Sequence, residues 1–553
     1  LPLSRPMFLC TFVTALLATS HGPTTANVDD PQSHGTVGDS LLSLDEAIQL
    51  ANGTLSLASL SAAEQARVIG IGDVTQIIVD RAITPVITVQ AALTTLTGPQ
   101  SSPGMVTVMG VAAGGVLPVL DGGTQATILT MGSRELMVHG FRFENGGVAV
   151  DAAMPAPANP VSEMAMLANC EFEAQTSAAV QLRGTGTDKT RLMVRDCSMQ
   201  NMPLGYRLDD QTNGGQLMCE SERITMDGVT LGCDAFEGGF GGTTMWAFWR
   251  SSFVNGETLA KSSRSPTATQ LLMLRIVYTD ATCSGDVIDM EGTTAGTSMI
   301  HHHHGDWTAG AGKKALWTHP RTAQFDVHGS EMVFNSDLLI AGGTTSPRFW
   351  HQNNHYKNCN ITLDIDGALP NLLWNRYENC TITVPALARS PVSIRSSHLS
   401  GTDVDSQSFL APIDINGCNR VGGTLTGFTS EVTPSPSEFL GTTEVTPQDP
   451  QVGTSLQLSA DLPAGIIMFW DIATSYARPV TSQEPVRFYG DPATVVILPV
   501  VVIFQSTLTV PIPNNPGLIG LEFYAQGISI PWPAVTQAPA YHLPRGGRIN
   551  VRL

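Results

Sequence analysis

Between Ala165 and Thr402 one short phrase keeps returning: a polar residue, then Cys or Ser, one spacer, and an apolar residue. It reads Ala168-Asn169-Cys170-Glu171-Phe172 and Arg195-Asp196-Cys197-Ser198-Met199, then Lys357-Asn358-Cys359-Asn360-Ile361 and Glu378-Asn379-Cys380-Thr381-Ile382. Looser copies stand at Arg250-Ser251-Ser252-Phe253 and Ser396-Ser397-His398-Leu399. The nearest copies lie 27 and 21 positions apart. Self-similarity on that scale marks a repeat architecture whose units stack only on their neighbours. Each copy is a short β-type run bounded by Gly, Asn, Asp or Thr, with no helical period between copies. The expectation is a solenoid of β coils.

A chain of 553 residues exceeds what one compact core holds unless it grows by repetition. The balance of 29 basic against 48 acidic residues, net −19, with no basic run, argues against nucleic acid and anionic membrane as partners. The 53 Gly and 35 Pro supply the turns an all-β protein needs. Met7 to Leu17 is an apolar stretch of signal-peptide length, too short to span a bilayer, so residues 1–20 are expected to be a signal peptide. Val495 to Phe504 is interrupted by Pro499 and reads as core strand, and no transmembrane segment is expected. Eight cysteines come after the leader, without a C-x-x-C spacing. Cys170, Cys197, Cys359 and Cys380 read as one recurring place in the coil, forming an inward ladder of small side chains.

Ser43-Leu44-Asp45-Glu46 is a capping box, and Leu44, Ala47, Ile48 and Ala51 fall on one helical face before the Asn52-Gly53 stop. Ser61-Ala62-Ala63-Glu64 opens a second helix. Short β runs then begin at Ile77, with turns such as Asp121-Gly122-Gly123 and Glu144-Asn145-Gly146. Glu431 to Gln451 is rich in Pro, Thr, Ser and Glu and reads as a linker. Beyond it, strand signals at Leu456–Leu458, Ile466–Trp470, Val486–Tyr489, Val495–Phe504, Leu508–Val510 and Leu521–Ala525 have sandwich-like spacing.

The segment Leu42-Ser43-Leu44-Asp45-Glu46-Ala47 resembles the Cys-Ser-Leu-Arg-Glu-Ala-type motif that opens many bacterial exported β-helix proteins. It has Leu42 for Cys and Asp45 for Arg. Leu120-Asp121-Gly122-Gly123 and the Val138–Gly146 unit are similar to the strand-and-turn units that come after that motif in those proteins. The stretch Val510–Gln526 looks like a small C-terminal β module of bacterial exported proteins. The resemblance implies export and a right-handed, pectate-lyase-like parallel β-helix. The expected order is a helical cap over 21–104, coils over 105–428, a linker over 429–452 and a β-sandwich over 453–553.

Four groups of residues are candidates for chemistry. His302 and His304 with Asp306 put imidazoles and a carboxylate at the spacing of a transition-metal site, against the plainer reading of a coil strand and its turn. Asp209 and Asp210 are paired carboxylates of the kind that hydrolyse glycosidic bonds, against turn capping. Lys261, Arg264 and Arg275 supply the base a uronate lyase needs, and Glu257–Ser263 resembles the Lys-bearing segment of alginate- and chondroitin-type lyases. Arg389 and Arg395 echo a pectate-lyase pattern one residue too long. Met245–Trp249, Phe349–His351 and Trp374 make a ligand-stacking platform or, more simply, core. No cofactor is expected, and calcium or a transition metal has no motif behind it.

These readings point to a secreted or cell-surface protein in adhesion, matrix contact or glycan binding, with polysaccharide or surface components as partners. The alternative is a lyase or hydrolase of an acidic polysaccharide. An enzyme should gather several of these groups in one groove, and an adhesin should leave them scattered.

Overall fold

The computed structural model describes residues 23–551, except 99–104, 133–134, 154–164, 188, 266–267, 270, 278, 292–296, 320–323, 343–348, 353, 366–370, 374, 396, 417, 433–442, 448–449, 461–465, 474–494, 504–506, 519–520 and 532–546. The expected leader, Cys10 and Trp374 lie outside the described residues, as does the expected strand Val486–Tyr489. The chain is all-β, 58 % strand and 5 % helix, and its main feature is a parallel β-solenoid. It divides into two compact units, Leu1–Gly256 with Thr267–Gln270, and Glu257–Pro266 with Leu271–Leu553.

In the first unit a parallel ladder starts at Thr24–Val28 and runs through Val74–Asp80, Val106–Val111, Leu136–His139, Ala165–Ala168, Lys189–Arg195, Gln216–Glu222 and Thr243–Trp249. A second ladder is built from three-residue strands, including Arg142–Glu144 and Glu171–Glu173, and continues into Ser198–Thr212. A third joins Thr127–Met131, Val148–Ala152 and Ala178–Gly186. Alternation fixes what each strand shows to either side: Lys189–Arg195 buries Thr190, Leu192 and Val194 and turns the residues between them outward. A slip of one residue would expose the whole apolar set, so the register is tightly specified. Phe143 stacks on Phe172 of the next coil at 5.2 Å, and Trp246 on Phe248 of its own strand at 4.9 Å, so aromatic rings fill the interior both between coils and along a strand.

Both expected helices form. Leu44–Asn52 carries the full Ser43–Glu46 capping box and ends on Gly53, whose φ of 72° is the left-handed conformation a helix stop uses. Ala62–Gln65 is a single turn with its own Ser61–Glu64 box. Neither precedes the β region: Thr24–Val28 comes first and already pairs with Val74–Asp80, and Val68–Ile69 adds to it antiparallel. The first helix packs its buried side on those two parallel strands.

In the second unit the long ladder includes Leu271–Val277, Thr297–Thr308, Gln324–Phe334, Phe349–Gln352, Asn371–Leu373, Val392–Arg395, Ile413–Asn416 and Thr429–Val432. The last of these lies inside the expected linker. Beyond the coils, Thr443–Thr446, Ser455–Ala460 and Thr507–Pro511 form one antiparallel sheet. Ile466–Ala473 pairs with Val495–Ile503 and Glu522–Pro531, and the latter with Gly547–Asn550. Leu456 and Leu458 of one sheet share a small core with Ala525 of the other.

The recurring phrase is a corner. Its polar residue has left-handed φ, 49° at Asn169, 53° at Asp196, 54° at Asn358 and 50° at Asn379. The next side chain closes the turn onto the carbonyl two residues back: Cys197 Sγ to Arg195 O at 3.1 Å, Ser251 Oγ to Trp249 O at 2.6 Å, Cys380 Sγ to Glu378 O at 3.3 Å. It also accepts the N–H of its counterpart one coil earlier, Cys170 N to Cys197 Sγ at 3.4 Å and Ile224 N to Ser251 Oγ at 2.9 Å. All four cysteines of the phrase are buried, and they carry free thiols. They do not share one place. Cys170 and Cys197 precede the second-ladder strands Glu171–Glu173 and Ser198–Thr212 of their coils, whereas Cys359 and Cys380 follow the three-residue strands His355–Lys357 and Arg376–Glu378 and precede the third strand. In the second unit Ser397 and Cys418 hold the corner before the three-residue strand.

Candidate functional site

In the first unit the left-handed corner residues Asn169, Asp196, Arg223 and Arg250 form a column, one per coil. Backbone bonds between coils hold it: Asn169 N to Arg195 O and Asp196 N to Glu222 O, both 3.0 Å, and Arg223 N to Trp249 O at 2.9 Å. Left-handed φ is costly for arginine, so the stacking must supply what the local conformation loses. It does so by aligning charges. Arg223 grips Asp196 with two nitrogens, at 2.5 and 2.7 Å, and reaches Glu222 at 2.7 Å. Arg195 and Arg250 approach the same Glu222 carboxylate at 3.3 and 3.5 Å. Arg223 therefore holds the Asp196 carboxyl below its ordinary range, and the pairing raises the Arg223 guanidinium in turn. Among the described residues these three guanidiniums share the carboxylates of Asp196 and Glu222, an arginine-rich corner on a protein of net charge −19. The side chains of Arg223 and Arg250 are 37 % and 47 % exposed.

Within each unit, the described residues singled out in the sequence are placed separately. Asp209 and Asp210 are adjacent on one strand, so their side chains leave it on opposite sides. Asp210 is fully buried, accepting Thr212 N–H at 2.9 Å and the Thr244 hydroxyl at 2.6 Å. Asp209 is partly exposed and accepts Gln211 Nε2 at 2.9 Å. Both belong to the first unit; Lys261, Arg264 and Arg275 belong to the second. Lys261 lies opposite Asp289, with Nζ 3.6 Å from that carboxylate. The Arg264 side chain lies outside the described residues. Arg275 is on a different ladder from Lys261 and registers with His301. His302 registers with Ile276 and Gly329, and Asp306 with Val333. The His302 and His304 side chains are outside the described residues, while Asp306 is exposed and its N–H donates to Asp280 at 3.0 Å. Among the described residues no three His, Cys, Asp or Glu side chains stand as a ready metal site. Trp246 and Phe248 are fully buried core, as the plainer reading had it.

The sequence signal of the charged column is the polar residue at each corner, Asn169, Asp196, Arg223 and Arg250, and it is hidden in the third copy because Ile224 stands where the others have Cys or Ser. No family model matches the chain, and no curated protein matches it.

Proposed function

We propose that the chain is an exported, surface or extracellular right-handed parallel β-helix protein that binds acidic polysaccharide or matrix components without cleaving them. Residues 1–20 would be its signal peptide, the two capped helices a shield for the start of the solenoid, and the C-terminal sheets a sandwich for anchoring or assembly. In this reading the chain is a relative of the exported proteins with the Cys-Ser-Leu-Arg-Glu-Ala-type opening.

The observation that carries it is the arginine-rich corner of Arg195, Arg223 and Arg250 on an otherwise acidic protein. Guanidiniums one coil apart suit the repeating carboxylates or sulfates of a polymer, which their exposed N–H groups can meet with charge-assisted hydrogen bonds. Within the first unit Asp209 and Asp210 leave their strand on opposite sides, and within the second Lys261 and Arg275 stand on different ladders, which supports a binding role over an enzymatic one.

The test is a panel of uronate, sulfated and neutral glycans, scored for binding and for cleavage. Arg250→Ala combined with Arg223→Ala should lower affinity for the acidic members at least tenfold, with an unchanged circular dichroism spectrum. Appearance of an unsaturated-uronate absorbance that disappears in Lys261→Ala would establish the lyase instead.

A further inference from the structure

Cysteines of neighbouring coils stand directly opposite one another at two places, one in each compact unit. In the first, Ala168 registers with Arg195 and Glu171 with Ser198, so Cys170 lies opposite Cys197. In the second, Lys357 registers with Glu378 and Asn360 with Thr381, so Cys359 lies opposite Cys380. Hydrogen-bonded strands run about 4.8 Å apart, inside the window of about 4.4–6.8 Å that separates the Cα atoms of a disulfide. The side chains lean across the same gap. Cys197 Sγ accepts Cys170 N–H at 3.4 Å, and Cys380 Sγ reaches the carbonyl of Tyr356, in the coil of Cys359, at 3.4 Å. Within each pair the two thiols also interact with each other, sulfur to sulfur. All four are buried.

Other cysteines of the coils lack such a neighbour. Cys219 registers with Leu192 and Trp246. Cys418 stands opposite Ser397, since Asn416 registers with Arg395 and Asn419 with His398. The spacing of cysteines along the chain leaves their pairing open, and the register of the coils selects two partners among many.

We infer that Cys170 with Cys197, and Cys359 with Cys380, are two sites of disulfide formation between successive coils, closed by exchange with a small-molecule disulfide such as oxidised glutathione. The thiolate of one cysteine attacks a glutathione sulfur, which makes a mixed disulfide and releases one glutathione thiolate. The thiolate of the facing cysteine then attacks the protein sulfur of that mixed disulfide and releases the second. Two protein S–H bonds and one glutathione S–S bond are lost, and one protein S–S bond and two glutathione S–H bonds are gained. Two electrons pass from the cysteine pair to glutathione. Because the thiols are buried, they meet the oxidant when a corner opens locally, so the reaction is slow in the native chain and faster in mild urea. Each bridge closes a loop about one coil long and fastens that coil to the next. The sites are independent of the glycan reading.

The experiment equilibrates the full chain with oxidised glutathione in sub-denaturing urea, blocks remaining thiols with N-ethylmaleimide and maps tryptic peptides without reductant. Trypsin cuts at Arg195 within the first pair and at Arg376 within the second, so each bridge appears as two linked peptides that separate on reduction. Links should join Cys170 to Cys197 and Cys359 to Cys380, while Cys219 and Cys418 carry maleimide. Cys197→Ser should abolish the first link and leave the second, and Cys380→Ser the reverse. Cys170→Ser and Cys359→Ser make the same test should either of those fold poorly. The inference is overturned if all four thiols are still blocked by maleimide at equilibrium. It is equally overturned if they stop at mixed disulfides with glutathione, or if the links join cysteines that do not face each other.

Discussion

At the scale of single residues, the cysteines of the repeat are turn-closing groups, and their sulfur does what oxygen does elsewhere in the chain. Cys197 Sγ and Ser251 Oγ make the same two bonds, back to a carbonyl two residues earlier and across to the preceding coil. Cys197→Ser should therefore change stability by less than about 1 kcal/mol, whereas Cys197→Ala leaves the buried Cys170 N–H without its acceptor and should cost about 1–3 kcal/mol. Urea unfolding of the two variants decides it, and equal stabilities would mean that the corner bond contributes nothing. The thiols of Cys219 and Cys283 should also be inert. Burial pushes Cys219 and Cys283 up to about 12, so alkylation at pH 8 should be slow in the native protein and fast in denaturant. Asp196 offers a pH test of the opposite kind. Its folded pKa is depressed, so its stabilisation is present above the ordinary aspartate range near 4 and is lost as pH falls through the lower folded value. Because the pair is partly solvated, its worth is below about 1 kcal/mol, read as the difference between wild type and Asp196→Asn at pH 6 that closes at the acid end.

At the scale of elements, the sequence showed the coil unit, both capping boxes and most C-terminal strands, because each of these is written in local chemistry. The phrase around Cys170 is a turn with its own bonds, and Ser43 with Glu46 is a self-contained cap. What was not legible depends on partners far along the chain. Thr24–Val28 is too short to stand out until Val74–Asp80 pairs with it. The two kinds of corner look alike in sequence because the same turn is used before and after the three-residue strand. Asp209 and Asp210 read as a pair until strand alternation separates them. The stacked rings give this level its prediction. Phe334, Tyr356 and Tyr377 lie in three successive coils with centroids 5.1 and 4.9 Å apart, and Asn354 and Asn375 donate to the two tyrosine hydroxyls. Tyr377→Ala should cost about 3–5 kcal/mol. Since a solenoid couples mainly nearest neighbours, amide exchange should quicken in the coils around 356–399 and stay unchanged at 165–253. Uniform loss of protection across both stretches would show that the coils unfold as one body.

At the scale of the whole molecule, two electrostatic effects oppose each other, and their magnitudes predict the winner. The surface ion pairs around Glu222 and Arg142 favour the fold by about 0.2–1 kcal/mol each and are weakened by salt. The excess of 48 acidic over 29 basic residues acts against the fold, and salt relieves it. At about 0.01 M ionic strength the screening length, about 30 Å, spans many coils, so most of the 19 uncompensated charges repel one another. At about 0.15 M it shrinks to about 8 Å, and only contacting pairs still interact. The long-range repulsion is therefore removed almost wholly while the short pairs are only partly screened, and Tm should rise by a few degrees between those conditions, with chelator present to exclude divalent ions. Acid should act in the same direction down to about pH 5. Burial raises the carboxyls of Asp30 and Glu46, which give their full stability below their unfolded values and lose it as pH rises through the folded ones. A Tm that falls with added sodium chloride would place the weight on the arginine–carboxylate corners, making local pairing, rather than net charge, the electrostatic term that governs the fold.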